Sequence, residues 1–379
     1  MNQSSPLIRN PDNTSRNKES KERKITISTL QQEQANWRKS IAPYEKPRIK
    51  SSVWQLFNTL VPFALMWYGA YLCLSISYWL TLLLAVVAGG FLIRIFIIFH
   101  DCCHQSFFRN RRANAIVGTI TGILTCCPYE QWRYTHSVHH ATSSNLNKRG
   151  TGDIWTLTVD EYVSAPLWKR IVYRLYRNPV LMFGLGPIYI FLIDYRFNRR
   201  RCGLKERLNT YLTNAGIAAI AGVLCWTLGW QAFLLVQGPI FLISGAAGIW
   251  LFYVQHQFEG TYFEKEEDWD YVKAALQGSS FYRLPKLLHW ITGNIGFHHI
   301  HHLSPRVPNY YLPVVHSENP FLQEVPSITL SSSLRSLRFR VWNEESKTFV
   351  GFSEIRRHPK KNKGKALDGE SGSGLPVES

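Results

Sequence analysis

The stretch Phe297-His298-His299-Ile300-His301-His302 is one of three histidine-rich segments in this chain. The other two are His100-Asp101-Cys102-Cys103-His104 and His136-Ser137-Val138-His139-His140. Nine of the thirteen histidines lie in these segments. Their spacings, i, i+4 in the first segment and i, i+3, i+4 in the others, place the rings on one face of a helix. Imidazole binds iron, zinc, copper and nickel, so three such faces together predict a metal site.

The number of rings indicates how many ions they would hold. Eight imidazoles share the three helix faces. A tetrahedral ion takes four ligands, so eight rings suit a pair of ions. An ordinary polar helix face would explain one such segment, but it is a poor explanation for three. The eight candidate ligands are His100, His104, His136, His139, His140, His298, His301 and His302.

The charge of the chain is unevenly distributed. The 379 residues carry a formal net charge of +17, which suits either nucleic acid or an anionic membrane surface as a partner. However, Arg94 is the only charged residue from Ser51 to Phe99, and there is none from Asn209 to Val254. Each stretch is long enough for two membrane helices of about 20 residues. A pair of buried helices in a soluble protein rarely stays this apolar, so the sequence predicts a membrane protein.

Short breaks divide the two apolar stretches. Residues 75–78 interrupt the first and residues 229–231 interrupt the second. The predicted fold is an all-α integral membrane protein with four transmembrane helices in two hairpins. A helical cap outside the membrane would carry the histidines. The predicted helices lie at about 56–74, 79–99, 211–228 and 232–254.

Lysine and arginine indicate the orientation in the membrane. Residues 1–50 contain 11 of them, residues 100–208 contain 16, and residues 255–379 contain 15. The connections within the two hairpins contain none. Because positively charged loops stay in the cytoplasm, we expect a multi-pass protein of the cell membrane with both termini and the histidine cap on the cytoplasmic side.

Three parts of the chain differ in composition. Residues 1–45 are polar and lack a sustained apolar period, so they are expected to be largely disordered. Residues 46–355 form the predicted membrane domain. Residues 356–379 are basic and then Gly/Ser-rich, and are also expected to be disordered. Within the domain, the apolar runs 113–128 and 179–193 are short, and we expect both at the membrane interface.

Further expectations concern the ends of the spans. Arg94 would either extend its charge to the membrane surface or pair with a buried acid. His256 ends the fourth span just as His100 follows the second. Alone it would be an ordinary interfacial histidine, but beside the three segments it becomes a ninth candidate ligand. Residues 334–341 are expected to be strand-like.

The ligand type favours a particular chemistry. Neutral nitrogen ligands hold divalent iron without cancelling its charge, and a pair of iron ions can activate dioxygen to cleave an unactivated C–H bond. A zinc peptidase would need His-Glu-x-x-His, whereas Asp101 follows His100 here. A haem protein would use one or two axial histidines inside membrane helices. A metal transporter, the non-enzyme alternative, would place its ligands near the bilayer midplane.

The motifs H-x3-H, H-x2-H-H and H-x2-H-H between two membrane hairpins resemble those of the integral-membrane fatty acid desaturases. Alkane hydroxylases and carotene oxygenases share the histidine pattern, but the flanking segments are similar to Bacillus-type acyl-lipid Δ5 desaturases. The similarity runs from about Ser52 to Gly351. The segments that carry it are Phe99–His104, His136–Lys148, Gly150–Trp155, Gln255-His256, Gly278–Tyr282 and Thr292–Tyr310.

The resemblance implies a di-iron site with nine ligands, the eight histidines above and His256. His299 lies off the ligand face of the third segment and is expected not to bind metal, and His289 has no matching role. Two aspartates are expected to orient ligand histidines, and one asparagine to hold a metal-bound water. These three residues are Asp101, Asp153 and Asn294.

The resemblance also implies an O2-dependent oxidoreductase. It would introduce a cis double bond, at Δ5, into saturated acyl chains of membrane phospholipids, with two electrons from ferredoxin or flavodoxin. The sequence contains no His-Pro-Gly-Gly haem motif of cytochrome b5, so we expect the donor to be a separate protein. Δ9 or Δ12 desaturation and di-iron hydroxylation stay open, because no short motif encodes the depth of a substrate tunnel.

Overall fold

The computed structural model describes residues 36–355, so the predicted disorder of residues 1–35 and 356–379 falls outside the described range. Helices predominate within it. In chain order they are α1 (Trp37–Ile41), α2 (Ile49–Cys73), α3 (Tyr78–Cys103), α4 (Arg111–Leu124), α5 (Tyr129–Thr142), α6 (Val159–Ser164), α7 (Leu167–Tyr176), α8 (Leu204–Leu228), α9 (Trp230–His256), α10 (Tyr271–Gln277), α11 (Lys286–Ile291), α12 (His298–Leu303), α13 (Leu312–Glu318), α14 (Leu330–Ser333) and α15 (Phe352–Ile355). The strands are β1 (Phe281–Arg283), β2 (Ser327–Thr329), β3 (Val341–Asn343) and β4 (Thr348–Val350).

The last part of the predicted N-terminal tail is folded. Helix α1 is followed by a 3-10 turn, Ala42–Glu45. Ile41 is fully buried and belongs to the same apolar cluster as Leu303 and Val307. Trp37 and Tyr44 pack against the same cluster. These few apolar residues lie among polar ones, which is why the sequence indicated disorder up to residue 45.

Four helices, α2, α3, α8 and α9, are long and apolar enough to cross a membrane. They match the four predicted spans, the first to within one residue at its end, and that prediction is confirmed. Each of α2, α3 and α8 extends several residues beyond its predicted span at one end, because the prediction followed apolar residues alone. Helix α3, for example, continues through His100 to Cys103.

The two hairpins lie side by side with their connections at the same end. Tyr78, at the start of α3, donates a hydrogen bond to the carbonyl of Leu235, near the start of α9, at 3.4 Å. Further along, a Cβ on Gly89 would lie 3.2 Å from the Ile243 side chain. Helices α3 and α9 therefore run in the same direction, and their histidine-bearing ends, with His100 and His256, lie at the end opposite the connections.

Neither expectation for Arg94 is correct. Its side chain is buried and donates from Nε to Thr59 Oγ1 at 3.0 Å and from Nη1 to the Trp290 carbonyl oxygen. The guanidinium carbon also lies 4.2 Å from the centroid of the Trp290 ring. Helix α11 covers this part of α3, so the charge is buried within the protein and forms no ion pair with an acid between residues 36 and 355.

Helix α7 is the first half of a bent segment. Helix α7 and the stretch Leu181–Arg196 meet at an angle of 68°. Two π-helical turns, Leu181–Leu185 and Ile188–Ile193, make up most of the second part. Together the pair is long and apolar enough to count as a fifth, broken span. The placement of residues 179–193 at the membrane interface stays a prediction.

Small sheets complete the cap. Strands β1 and β2 pair in parallel, and β3 and β4 pair antiparallel. Residues Leu334–Arg338 form a 3-10 helix rather than the predicted strand, and extended pairing begins only at Val341. An isolated bridge between Phe281 and Phe297 joins β1 to the residue that precedes α12, and so helps to fix the third histidine segment.

Candidate metal centre

Four helices bring the nine predicted ligands together. Helix α3 carries His100 near its C-terminal end and is followed directly by His104, α5 carries the second segment, and α12 carries the third. His256 is the last residue of α9. His104 is partly buried, and the other eight are buried. A helix places residues three and four apart on one face, and the rings on these faces converge.

The first group contains five rings. Its ligand nitrogens all lie within 4.8 Å of one another, and its members are His100, His104, His136, His140 and His301. Several of these nitrogens are closer still. His136 Nε2 lies 3.1 Å from both His100 Nε2 and His140 Nε2, and His301 Nε2 lies 2.9 Å from His140 Nε2.

The second group contains His139, His256 and His302, whose ligand nitrogens also lie within 4.8 Å of one another. His298 lies beside this group. Its Nε2 is 3.0 Å from His256 Nε2 and 3.1 Å from His302 Nε2. With His298 counted in the second group, the two groups contain five and four rings and include all nine candidates.

The residues fit a pair of metal ions. Two nitrogens bound at right angles and about 2.1 Å from one ion would be about 3.0 Å apart, which is the spacing of the close Nε2 pairs. In addition, the buried Nε2 atoms of His104 and His139 have no hydrogen-bond partner in the structure. Buried polar atoms are rarely left in this state, and a metal ion would satisfy both.

Burial also keeps the rings in the protonation state that metals need. Desolvation, reinforced by neighbouring histidines, holds the pKa of six rings well below the ordinary value of 6.5. A metal binds the neutral imidazole and competes with a proton for it. The six rings are His104, His136, His140, His298, His301 and His302.

Hydrogen bonds to the far side of three rings fix their orientation. His139 Nδ1 lies 2.5 Å from an Asp153 carboxylate oxygen, and His100 Nδ1 lies 3.3 Å from Asp101 Oδ1. His256 Nδ1 lies 3.2 Å from the Gly278 carbonyl oxygen. When Nδ1–H donates in this way, Nε2 is left free to bind metal.

Gly278 is required at its position for steric reasons. A Cβ there would lie 2.2 Å from Ser144 Oγ and 2.6 Å from the Ala274 carbonyl oxygen. Any larger residue would move the carbonyl that faces His256. The sequence analysis quoted this glycine only as part of a similar segment, since no spacing rule connects it to the histidine.

Asn294 has a different environment from the one expected. It adopts a left-handed backbone conformation with φ of 58°, and its Nδ2 donates to the Asn309 carbonyl oxygen at 3.1 Å. Its predicted contact with a metal-bound water stays a prediction. Asn309 itself donates twice to Asp101 Oδ2, and no sequence motif indicates this role.

His289, His299 and His316 lie near this region but outside both groups. His299 is fully buried beside Phe281 and His316, and burial lowers its pKa to about 3. His289 stacks on Phe297, with 4.9 Å between the ring centroids, and its Nε2 accepts from the backbone N–H of Leu284. That His299 does not bind the metal stays a prediction.

Comparison with known proteins bears on the identity of this site. Residues 77–326 match the family described as fatty acid desaturase. A fatty acid desaturase of Bacillus subtilis (strain 168) is 59% identical over 335 residues, which cover 88% of this chain and 95% of that protein. The sn-1 oleoyl-lipid 12-desaturase of Synechocystis sp. is 27% identical over 274 residues, covering 69% and 72% of the two chains. The sn-1 acyl-lipid omega-3 desaturase (ferredoxin) of the same organism is 26% identical over 242 residues, covering 60% and 64%.

The family match spans most of the membrane domain, including all three histidine segments. The Bacillus subtilis protein matches nearly over its whole length. The resemblance noted in the sequence is confirmed, together with the four spans and the histidine groups that can hold metal. The chain belongs to the fatty acid desaturase family and is a membrane-bound oxidoreductase.

Proposed function

We propose that this desaturase introduces a cis double bond at the Δ5 position of saturated acyl chains in membrane phospholipids, with two iron ions as its cofactor. The observation that carries the proposal is the convergence of nine histidines at one end of the membrane helices. An acyl chain can reach such a site from the bilayer, while water-soluble reactants reach it from the cap.

The balance of the reaction sets what must be supplied. One hydrogen leaves each of two adjacent carbons, and O2, two electrons and two protons are consumed, so that two water molecules form. O2 is the oxidant, and bound iron would activate it for attack on the C–H bonds. The chain itself provides neutral nitrogen ligands, holds them through Asp101, Asp153 and the Gly278 carbonyl, and keeps bulk water away by burial.

Two details of the proposal rest on similarity. The Δ5 position rests only on the likeness of the flanking segments to Bacillus-type enzymes. The two Synechocystis relatives do not support it, because their names give other bond positions, 12 and omega-3. Ferredoxin or flavodoxin is proposed as the donor, and one Synechocystis relative carries ferredoxin in its name. The proposed ligands are the eight histidines of the three segments and His256, with Asp101, Asp153 and Asn294 in support.

Lipid analysis tests the reaction. The protein is expressed in cells that lack a desaturase, and their phospholipid fatty acids are examined by gas chromatography and mass spectrometry with location of the double bond. We expect Δ5 monounsaturated chains from the wild type and none from His139→Ala or His301→Ala. His316→Ala, which alters a histidine outside both groups, is the control and should keep the product.

Other outcomes would change the assignment in specific ways. A double bond at Δ9 or Δ12 would correct the position only. A hydroxylated chain would make the protein a hydroxylase. Unchanged unsaturated product in both variants would refute the ligand assignment. Metal uptake without lipid oxidation would instead identify a transporter.

We also propose that the histidine cap and both termini face the cytoplasm. The lysines and arginines outside the hairpin connections support this orientation. The test introduces one cysteine at a time, at Ser75 in a connection or at Ser137 on the outer face of α5. The background lacks Cys73, Cys126 and Cys225, the three cysteines that are not buried. An impermeant maleimide should label Ser75→Cys in intact protoplasts and Ser137→Cys only after lysis. The reverse pattern would invert the topology.

A further inference from the structure

A buried carboxylate with an unusual set of partners lies beside the first metal group. Asp101 is 3% exposed. Its Oδ1 faces His100 Nδ1, and among the described residues its only ion-pair contact is with this histidine. A buried charge is costly unless several donors surround it. The donors that stabilise this carboxylate therefore also determine where it can hold the His100 ring.

Asn309 supplies two of those donors to a single oxygen. Its backbone N–H and its side-chain Nδ2 both donate to Asp101 Oδ2, each at 2.8 Å. Asn309 is the first residue of the 3-10 turn Asn309–Tyr311, so its backbone N–H has no partner within that turn. The two donors fix the position of Oδ2, while Oδ1 faces the His100 ring.

Gln55 fixes the Asn309 amide in turn. Its Nε2 donates to Asn309 Oδ1 at 2.9 Å, and its Oε1 accepts from Asn309 Nδ2 at 3.2 Å. Gln55 and Asn309 are 4% and 2% exposed. Because a carboxylate only accepts, Asp101 requires the NH2 group of Asn309 to face it, and this in turn determines the orientation of Gln55.

We infer that Gln55 and Asn309 are positioning residues for the metal centre. They connect membrane helix α2 through Asp101 to the His100 ring, although neither touches the metal groups. The inference rests on the proposed metal site. Partners of this kind, once removed, lower metal affinity by about ten- to a hundredfold.

The chain offers a matched control. Gln237 on α9 also lies in a membrane helix, and its Oε1 accepts from Trp67 Nε1 at 2.9 Å. Gln55→Met and Gln237→Met each remove one interhelical amide and leave a side chain of similar length. Only the first removes the two hydrogen bonds that hold the Asn309 amide in place against Asp101. Asn309→Ala, which keeps the backbone donor, provides a second variant.

The experiment titrates Co²⁺ into the metal-free full-length protein in detergent and follows its visible absorption. The wild type should bind two ions per chain. Gln55→Met and Asn309→Ala should bind at least one ion about tenfold more weakly, with a changed spectrum, while Gln237→Met matches the wild type. Thermal unfolding of each metal-free protein serves as the check on folding.

The possible failures are distinct. If the wild type binds no cobalt, the proposed metal site is wrong. If it binds two ions and both network variants match it in affinity and spectrum, the positioning role is refuted. If both variants unfold while Gln237→Met stays folded, the pair serves folding alone, and the inference is equally overturned.

Discussion

The Nε2 atoms of His140 and His301 lie 2.9 Å apart, although 161 residues separate the two histidines along the chain. One ring belongs to α5 and the other to α12, and both belong to the five-membered group. The second group takes its rings from α5, α9 and α12. Helices α5 and α12 thus contribute to both groups, which places the two metal positions side by side.

This arrangement predicts that the two groups can be emptied separately. His140→Ala removes a ligand of the first group, and His302→Ala removes one of the second. We expect each variant to retain about one iron per chain where the wild type retains two, because each group would lose one of its few ligands. Metal analysis of the purified protein measures this, with His316→Ala as the control. Two irons in either ligand variant would contradict the division.

The histidine faces could be predicted from sequence because helical spacing is a local property. The four spans could be predicted for the same reason. The hydrogen bonds of Asn309 could not be predicted, since its partner Gln55 lies 254 residues away in sequence and no motif relates the two residues. Similarly, the Arg94 side chain finds its acceptor at Trp290, 196 residues further on. Such contacts depend on how the helices pack, and they cannot be predicted from composition or local spacing.

The pair formed by His139 and Asp153 predicts a measurable effect on the second group. In Asp153→Asn the side chain can still accept from His139 Nδ1, but it loses the negative charge that makes the ring a better ligand. We expect activity or metal affinity to fall by about ten- to a hundredfold. The same change at the exposed Asp160 should have no effect. Equal loss in both variants would show a general response to lost charge.

Replacing Arg94 by lysine is expected to lower stability, although the charge is kept. Arg94→Lys keeps the charge but cannot make both hydrogen bonds or stack as a planar group on Trp290. We expect it to lower the free energy of unfolding by about 1–3 kcal/mol, as for other broken buried hydrogen bonds. Thermal unfolding in detergent measures this. Arg207→Lys, at an exposed position, is the control and should leave the midpoint unchanged.

Acid sensitivity is expected from His316. Burial, together with Arg283 and His289, lowers its pKa below 6.5, and the rings of Phe281, Phe297 and His299 also face it. Below pH 6.5 the unfolded chain therefore takes up a proton that the folded chain resists, and stability falls as the pH falls.

The variant His316→Gln removes this contribution. Its unfolding temperature should decline less than that of the wild type between pH 7.5 and pH 5.5. The comparison is made in metal-free protein, so that loss of iron does not add to the effect. Identical slopes for the two proteins would show that His316 does not contribute to the acid sensitivity.

Two glycines with opposite surroundings predict opposite effects of alanine. A Cβ on Gly122, in α4, would lie 2.4 Å from the Cys127 carbonyl oxygen and 3.0 Å from the Phe99 ring. On Gly222, in α8, it would meet nothing within 4 Å. Gly122→Ala should therefore destabilise the protein by about 1–3 kcal/mol. The backbone at Cys127 would have to move, and it lies beside Phe99, the residue before His100. Gly222→Ala should instead stabilise the protein by about 0.5–1 kcal/mol, through the better helix propensity of alanine. Thermal unfolding distinguishes them, and a lower midpoint for Gly222→Ala than for Gly122→Ala would mean that α4 does not pack this closely against α3.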